Sequence, residues 1–318
     1  MTPEPTAVPA ASHPNAWPES HRPMSLGLMV PIGEGSAFGG APRFADMVEI
    51  TRTAEAVGFD IGWYADHFVL ERPDQEAIGI WECWTMMAGV AAATERIGIG
   101  ALVACTGFRN PGVIAKMTEA IDEISNGRMI LGLGAGWHRP EYEMFGFPWD
   151  HRVSRFEEAV EIIAPMLREK RADSAGDFFT AAGMVNQPRG PRPHGAPILV
   201  GSSGPRMLRT VARHADAWNT VWHNDPAATV PLLAAVDAAC AEAGRDPATL
   251  VRTAGGNIAL PGYSGVRPDP ITGDAERIAA TIRGFRDLGF RHFVCGIDPC
   301  TPASVEWFAR VIEMVDAD

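Results

Sequence analysis

A short apolar run followed by an amphipathic segment recurs eight times between residues 26 and 316, and this alternation most narrows the choice of fold. The runs 26–32, 59–64, 97–103, 128–133, 197–201, 217–221, 251–259 and 291–295 are rich in Val, Ile, Leu and Gly and read as buried strands. The segments 43–57, 80–94, 111–125, 151–169, 205–214, 228–243, 274–288 and 302–316 carry apolar residues at i, i+3, i+4 spacing and read as helices. "AVGFD" at 56–60 and "DLGFR" at 287–291 mark helix ends turning into strands. Eight such units predict an α/β chain folded as a (β/α)8 TIM barrel. An open doubly wound sheet ordinarily needs fewer units and a switch point.

Two stretches fall outside the alternation. Residues 170–196 read as an insertion before strand five, expected to form a small hairpin over the barrel mouth. Residues 1–24, rich in Pro, Ala, Ser and His, read as a disordered leader. They lack the charged start and apolar middle of a signal peptide. Residues 25–318 are then a single domain.

Composition narrows the partners. Asp and Glu number 39 against 27 Lys and Arg, a net charge of -12, which disfavours nucleic acid. An anionic ligand would need a locally positive site. No apolar run approaches the ~18 residues that suggest a membrane span. Five cysteines, at 83, 105, 240, 295 and 300, include no CxxC pair. Neither disulfides nor a thiolate zinc site is expected, which suits a reducing cytoplasm.

In a barrel of this kind the chemistry sits just after the strands, at their C-terminal ends. Strand two runs into Asp66-His67-Phe68, strand three into Cys105-Thr106-Gly107-Phe108-Arg109-Asn110, strand four into Gly134-Ala135-Gly136-Trp137-His138, and strand five into Gly201-Ser202-Ser203-Gly204-Pro205-Arg206. The last loop reads as a phosphate cradle: small residues let backbone N–H groups converge, and Pro205 suits the first turn of an electropositive helix end. Arg206 either adds charge there or faces solvent. The run "LGLGAGW" at 131–137 has GxGxG spacing after the fourth strand, so a Rossmann fingerprint is a poor match. Its glycines either ease strand packing, which suits Gly132, or let a flat ring and its phosphate approach the backbone. For Asp66 and His67 three readings stay open: a structural pair, a metal site with His138 and Asp225, or partners of a redox cofactor. Trp63, Trp137 and Phe108 near strand ends suit a pocket wall, while Trp81 and Trp84 at helical spacing suit core packing.

These residues carry a family resemblance over about 25–316. The run at 109–163, containing "GRMILGLGAGWHRPEYEMFGFPWD", resembles the central signature of the luciferase-like monooxygenase superfamily. "ILVGSSGPRMLRTVARHADAWN" at 198–219 resembles its phosphate-binding segment, and "GFDIGWYADHF" at 58–68 its second strand. The resemblance implies a barrel that binds the deazaflavin coenzyme F420 or reduced FMN. The Asp-His-Phe ending and the long "GWHRPEY" loop look more like the F420-dependent branch. By that resemblance Asp66 and His67 border the ring, with His67 nearest the hydride-transfer carbon. Cys105-Thr106 match a strand-three bulge where the family often has a non-prolyl cis peptide. Ala135-Gly136 and Gly201, Ser202, Ser203, Gly204 bracket the phosphate, with Arg206 beside them. Asn110, Trp137, His138 and Tyr142 complete the implied cofactor-binding set. A homodimer is expected, as is common in the family.

One departure bears on the substrate. F420-dependent sugar-phosphate dehydrogenases place an acidic residue where this chain has Trp137, so a carboxylate proton donor is missing. The expected activity is hydride transfer between deazaflavin and a small apolar or aromatic substrate. The alternatives are a reduced-FMN monooxygenase, a non-catalytic flavin-binding barrel and a metal-dependent hydrolase.

Overall fold

A computed structural model describes residues 17–317 except 19, 36, 72–75 and 264–266. Eight parallel strands make the barrel: β1 (Ser25–Met29), β2 (Ile61–Tyr64), β3 (Gly98–Ala101), β4 (Met129–Gly134), β5 (Ile198–Gly201), β6 (Ala217–Thr220), β7 (Val251–Ala259) and β8 (His292–Asp298). Each pairs with its sequence neighbours, and β1 closes on β8 with Ser25 opposite His292. The helices are α1 (Phe44–Val57), α2 (Cys83–Ala93), α3 (Pro111–Ile124), α4 (Arg139–Phe145), α5 (Arg152–Glu169), α6 (Pro205–His214), α7 (Val230–Glu242), α8 (Ala275–Asp287) and α9 (Pro302–Asp316). The (β/α)8 barrel expected from the alternation is the fold.

Local chemistry sets the boundaries. Asn110 caps α3, its Oδ1 accepting the N–H groups of Gly112 and Val113 at 2.9 and 3.4 Å. Gly58 ends α1 with φ +99°, a conformation that glycine adopts without strain. The segment 139–145, read from sequence as part of a long loop, is instead the short helix α4. Pro140 lies in its first turn and Gly146 closes it at φ +73°. Among the described residues no helix is long and apolar enough to cross a membrane.

The insertion does form a hairpin, Arg171–Ala175 against Thr180–Val185. It stands on the barrel flank rather than over the mouth. The Glu158 carboxylate on α5 accepts the N–H groups of Asp177, Phe178 and Phe179 at 3.0, 2.9 and 3.0 Å, fixing the hairpin tip to that helix. Met184 reaches the start of α3 beside Gly112.

Inward side chains fill the lower barrel: Ile61, Trp63, Ile130, Leu199, Ala217 and Val294 form one cluster. The base holds a buried polar knot. His292 Nδ1 meets Ser25 Oγ at 2.7 Å, and its Nε2 accepts from Trp63 Nε1 at 2.9 Å. Trp17 packs edge-on against the same imidazole. Arg22 pairs with Asp60 at 3.6 Å and with Asp316 at 3.3 Å. Trp17 and residues 20–24 of the expected leader therefore lie against the barrel base, while 1–16 and 19 lie outside the described residues.

Burial pushes the His292 imidazole down from 6.5 to about 3. Above pH 6.5 both folded and unfolded forms are neutral, and the full stability is present. As pH falls, the unfolded chain takes a proton that the folded one refuses. His292 should then cost the fold about 1.4 kcal/mol for each pH unit between 6.5 and 3. Urea unfolding at pH 7 and pH 4.5 checks this. The His292→Gln variant should start less stable at pH 7 and lose less on acidification, and equal losses would refute the assignment.

Candidate functional site

The ends of β2, β3, β4 and β5 are neighbours on one rim, so the four loops singled out from sequence meet on one face. Beneath them the inner wall changes character. Alternation from Ile130, Leu199 and Val294, which point inward, places Gly134, Gly201 and Gly296 inward at the top. Barrel interiors are ordinarily filled by bulky branched residues, and glycine here leaves room above the core. Val103 occupies part of that room: a Cβ on Gly134 would come within 2.6 Å of it and one on Gly201 within 3.3 Å.

The three glycines after β4's start serve different ends. Gly132 lies where a Cβ would clash with the Ala101 carbonyl at 2.0 Å, which is strand packing. Gly134 belongs to the floor. Gly136 turns at φ +76° over the Tyr142 hydroxyl, where a Cβ would sit 2.2 Å away.

His67 stands at the rim, its ring partly open, with Nδ1 2.9 Å from Glu141 Oε2. Glu141, on α4, is 1% exposed. Its other oxygen accepts the backbone N–H of Phe68, and that of Val69 at 3.2 Å. Burial works against the Glu141 charge, but the His67 bond and these N–H groups outweigh it and hold the carboxyl below its ordinary value. A carboxylate accepts only, so it assigns the His67 proton to Nδ1 and leaves Nε2 for a ligand. Trp137, 66% exposed, sets its indole edge-on to the imidazole with centroids 5.6 Å apart. His138 is buried and its Nε2 accepts from the Glu71 N–H at 3.0 Å, a structural bond.

Asp66 is 2% exposed. Its oxygens accept the Cys105 N–H at 2.9 Å and both Arg109 Nη groups at 2.7 and 3.0 Å. Arg109 also reaches Glu82 at 2.6 Å and lies over the Trp84 and Phe68 rings. Burial works against the Arg109 charge, but Asp66 outweighs it and the guanidinium pKa is raised. This network ties the ends of β2 and β3 together beneath the rim. Tyr142 is wholly buried; its hydroxyl meets Ala135 O and Cys105 Sγ, each at 2.9 Å. Burial pushes the Cys105 thiol up to about 12, so it stays protonated. Thr106 is buried, its Oγ1 donating to Gly134 O at 3.3 Å. The non-prolyl cis peptide expected at Cys105-Thr106 lies instead between Leu102 and Val103, and a second joins Val221 and Trp222.

At the end of β5, Ser202 Oγ accepts the Gly204 N–H at 3.3 Å. Gly204 caps α6 without a side-chain bond, and nothing lies within 4 Å of where its Cβ would be. Ser203 and Gly204 are exposed. Arg206 turns from this loop to Glu157 at 2.8 Å through Nε and to Ser154 at 2.9 Å. Asn110 is engaged as the α3 cap.

The structure thus brings His67, Trp137 and His138 together at the rim and sets Asp66, Cys105, Thr106 and Tyr142 beneath it. Sequence reasoning placed Arg109 in the strand-three loop without a role, and missed Glu141 and, across the mouth, Trp222, Asn257 and Arg267. Glu141 left a signal too, three residues after His138 in a segment bracketed by Pro140 and Gly146.

Residues 24–260 match the family model for luciferase-like monooxygenases. Pyrimidine monooxygenase RutA of Methylorubrum extorquens is 34% identical over 250 residues, covering 72% of this chain and 64% of that protein. Phthiodiolone/phenolphthiodiolone dimycocerosates ketoreductase of Mycobacterium kansasii is 32% identical over 222 residues, 63% of this chain and 59% of that protein. The chain thus matches less than two thirds of the length of either. Among solved structures, an F420-dependent secondary alcohol dehydrogenase shares the fold with a TM-score of 0.76 at 21% identity, covering 92% of this chain and 99% of that one. The coenzyme F420 dependent tetrahydromethanopterin reductase of Methanopyrus kandleri gives 0.73 at 17% identity, covering 90% and 97%. With the barrel and the family match in agreement, this chain belongs to the luciferase-like monooxygenase family of oxidoreductases.

Proposed function

We propose that the protein is an F420-dependent oxidoreductase acting on a small, flat, apolar or aromatic substrate at the β2–β5 side of the mouth. The observation that carries this reading is the Glu141–His67 pair at the rim of a glycine-lined floor. The residues present fit a phosphorylated ring cofactor. Gly134 and Gly201 carry no side chain into the top of the barrel and let Val103 lie flat between them as a floor against which a ring could stack. The exposed Ser203–Gly204 turn and the α6 N-terminus offer backbone N–H groups to a phosphate. Arg206 is engaged with Glu157, so the backbone carries that contact. When bound, the deazaflavin supplies a carbon that gives or takes a hydride.

The chain's own groups do the rest. Trp137, edge-on to His67, offers its indole to the flat body of the substrate. Glu141 fixes the ring plane and tautomer of His67. His67 Nε2 accepts a hydrogen bond from a substrate hydroxyl, or returns that proton as the carbonyl is reduced. Asp66 and Arg109 act through the loop, holding His67 where its proton transfer is in reach.

A reduced-FMN monooxygenase is the second reading, favoured by the relative named pyrimidine monooxygenase. Side-by-side titration of the purified full chain with F420 and FMN separates the two. Binding of F420 at least about tenfold tighter, a difference of about 1.4 kcal/mol, with turnover that persists without oxygen, is expected. Tighter FMN binding with oxygen-dependent turnover would overturn the F420 reading in favour of the second.

A further inference from the structure

The half of the mouth opposite the β2–β5 loops holds an arginine that enters none of the ion pairs found among the described residues. Inward alternation along β8 sets Gly296 at the top of the barrel wall. A Cβ built there would meet Arg267 Nη1 at 3.0 Å, Asn257 Oδ1 at 3.1 Å and Trp222 Cζ3 at 3.3 Å, so three side chains converge over one glycine. Arg267 comes from the segment linking β7 to α8 and is half-buried. Its guanidinium makes one long hydrogen bond, 3.4 Å to Asn257 Oδ1. Asn257 is nearly buried and is itself fixed through Nδ2 to Pro268 O at 3.1 Å. Three other arginines of this face are held in ion pairs: Arg109 by Asp66 and Glu82, Arg139 by Glu143, Arg206 by Glu157. None of the ion pairs within 4.0 Å among the described residues includes Arg267.

We propose that Arg267, with Asn257 and Trp222, receives the carboxylate of a planar organic acid, and that such an acid is the substrate class of this mouth. The inference rests on the reading of the mouth as the active site and narrows its substrate. A guanidinium presents five donors in a flat fork that matches a carboxylate in two parallel bonds. Among the described residues that fork makes one hydrogen bond, the long one to Asn257 Oδ1, and lies beside Trp222 over Gly296. Trp222, 41% exposed, offers its indole to the flat apolar body of the acid. The placement suits the substrate better than the cofactor phosphate. Around the eight-stranded ring, β8 lies three strands from β5, where the phosphate cradle stands, and two strands from β2, which carries His67. An acid anchored at Arg267 would extend its reacting carbon toward His67.

The test is calorimetric titration of the cofactor-free full chain with benzoate, its uncharged analogue benzamide and inorganic phosphate. Benzoate is expected to bind at least tenfold tighter than benzamide. The Arg267→Met variant should lose that preference and leave the affinities for benzamide and for F420 or FMN within twofold. Arg267→Lys, which keeps the charge but not the fork, should fall between, and it serves if the methionine variant unfolds. Equal binding of benzoate and benzamide, no benzoate binding, or an intact preference in both variants would overturn the proposal. So would loss of cofactor or phosphate affinity in Arg267→Met, which would assign the cation to the cofactor. Because binding is read without cofactor, failure of the F420 titration and failure here are separate results.

Discussion

Replacing His67 with Ala should lower kcat/KM by about 10²–10⁴-fold, the range expected when a positioned proton-transfer group is removed. The ring lies at the rim with Nε2 uncommitted, and its loss leaves no other imidazole in place: the His138 Nε2 is already bonded to the Glu71 N–H. The variant should fold normally, because His67 is partly exposed and its one strong partner, Glu141, keeps the Phe68 and Val69 N–H groups. Glu141→Gln makes the companion measurement. The amide oxygen still accepts from Nδ1, so its effect should be smaller than that of His67→Ala, and the double variant should be no worse than His67→Ala alone. Turnover unchanged in His67→Ala holoenzyme would remove the imidazole from the mechanism.

Asp66→Ala should act mainly on the fold. It takes two hydrogen-bonded oxygens from a guanidinium whose side chain is only 12% exposed and leaves the half-exposed Glu82 as its remaining carboxylate. Removing one member of a buried ion pair costs about 3–5 kcal/mol, because the other charge stays desolvated. A loss of about 3 kcal/mol in urea unfolding is expected here, at the lower end because Glu82 remains. The Asp66→Ala, Arg109→Met pair should be more stable than Asp66→Ala alone, since it removes the stranded charge. A single-variant loss under about 0.5 kcal/mol, as for an exposed pair, would show that the network carries little of the rim's stability.

The barrel could be read from the chain because periodicity reports burial directly. The run 251–259 is strand β7 residue for residue, and 205–214 and 302–316 are α6 and α9. The short α4 was missed because seven residues give too little pattern to separate a helix from a loop. The rim was legible as positions and much less as partners. His67 and Trp137 emerge where sequence placed them, but Glu141 bonds His67 from 74 residues away. No local rule connects such a pair. Arg206 illustrates the converse: its place at a helix start suggested an anion, whereas the neighbouring helix offers Glu157 and the guanidinium turns there. Arg267 gave no signal at all, since its convergence with Asn257 and Trp222 over Gly296 is a property of the folded surroundings.

The pairing of β1 with β8 has a bearing on how the polypeptide is made. Ser25 to Leu28 find their hydrogen-bonding partners on one side only when His292 to Cys295 have left the ribosome. Until then the growing sheet has two open edges, one on its oldest strand and one on its newest, and each is a template for a foreign strand. Synthesis from end to end must therefore precede sealing, so a pause or truncation late in translation would release a sticky open ring rather than a shorter stable protein.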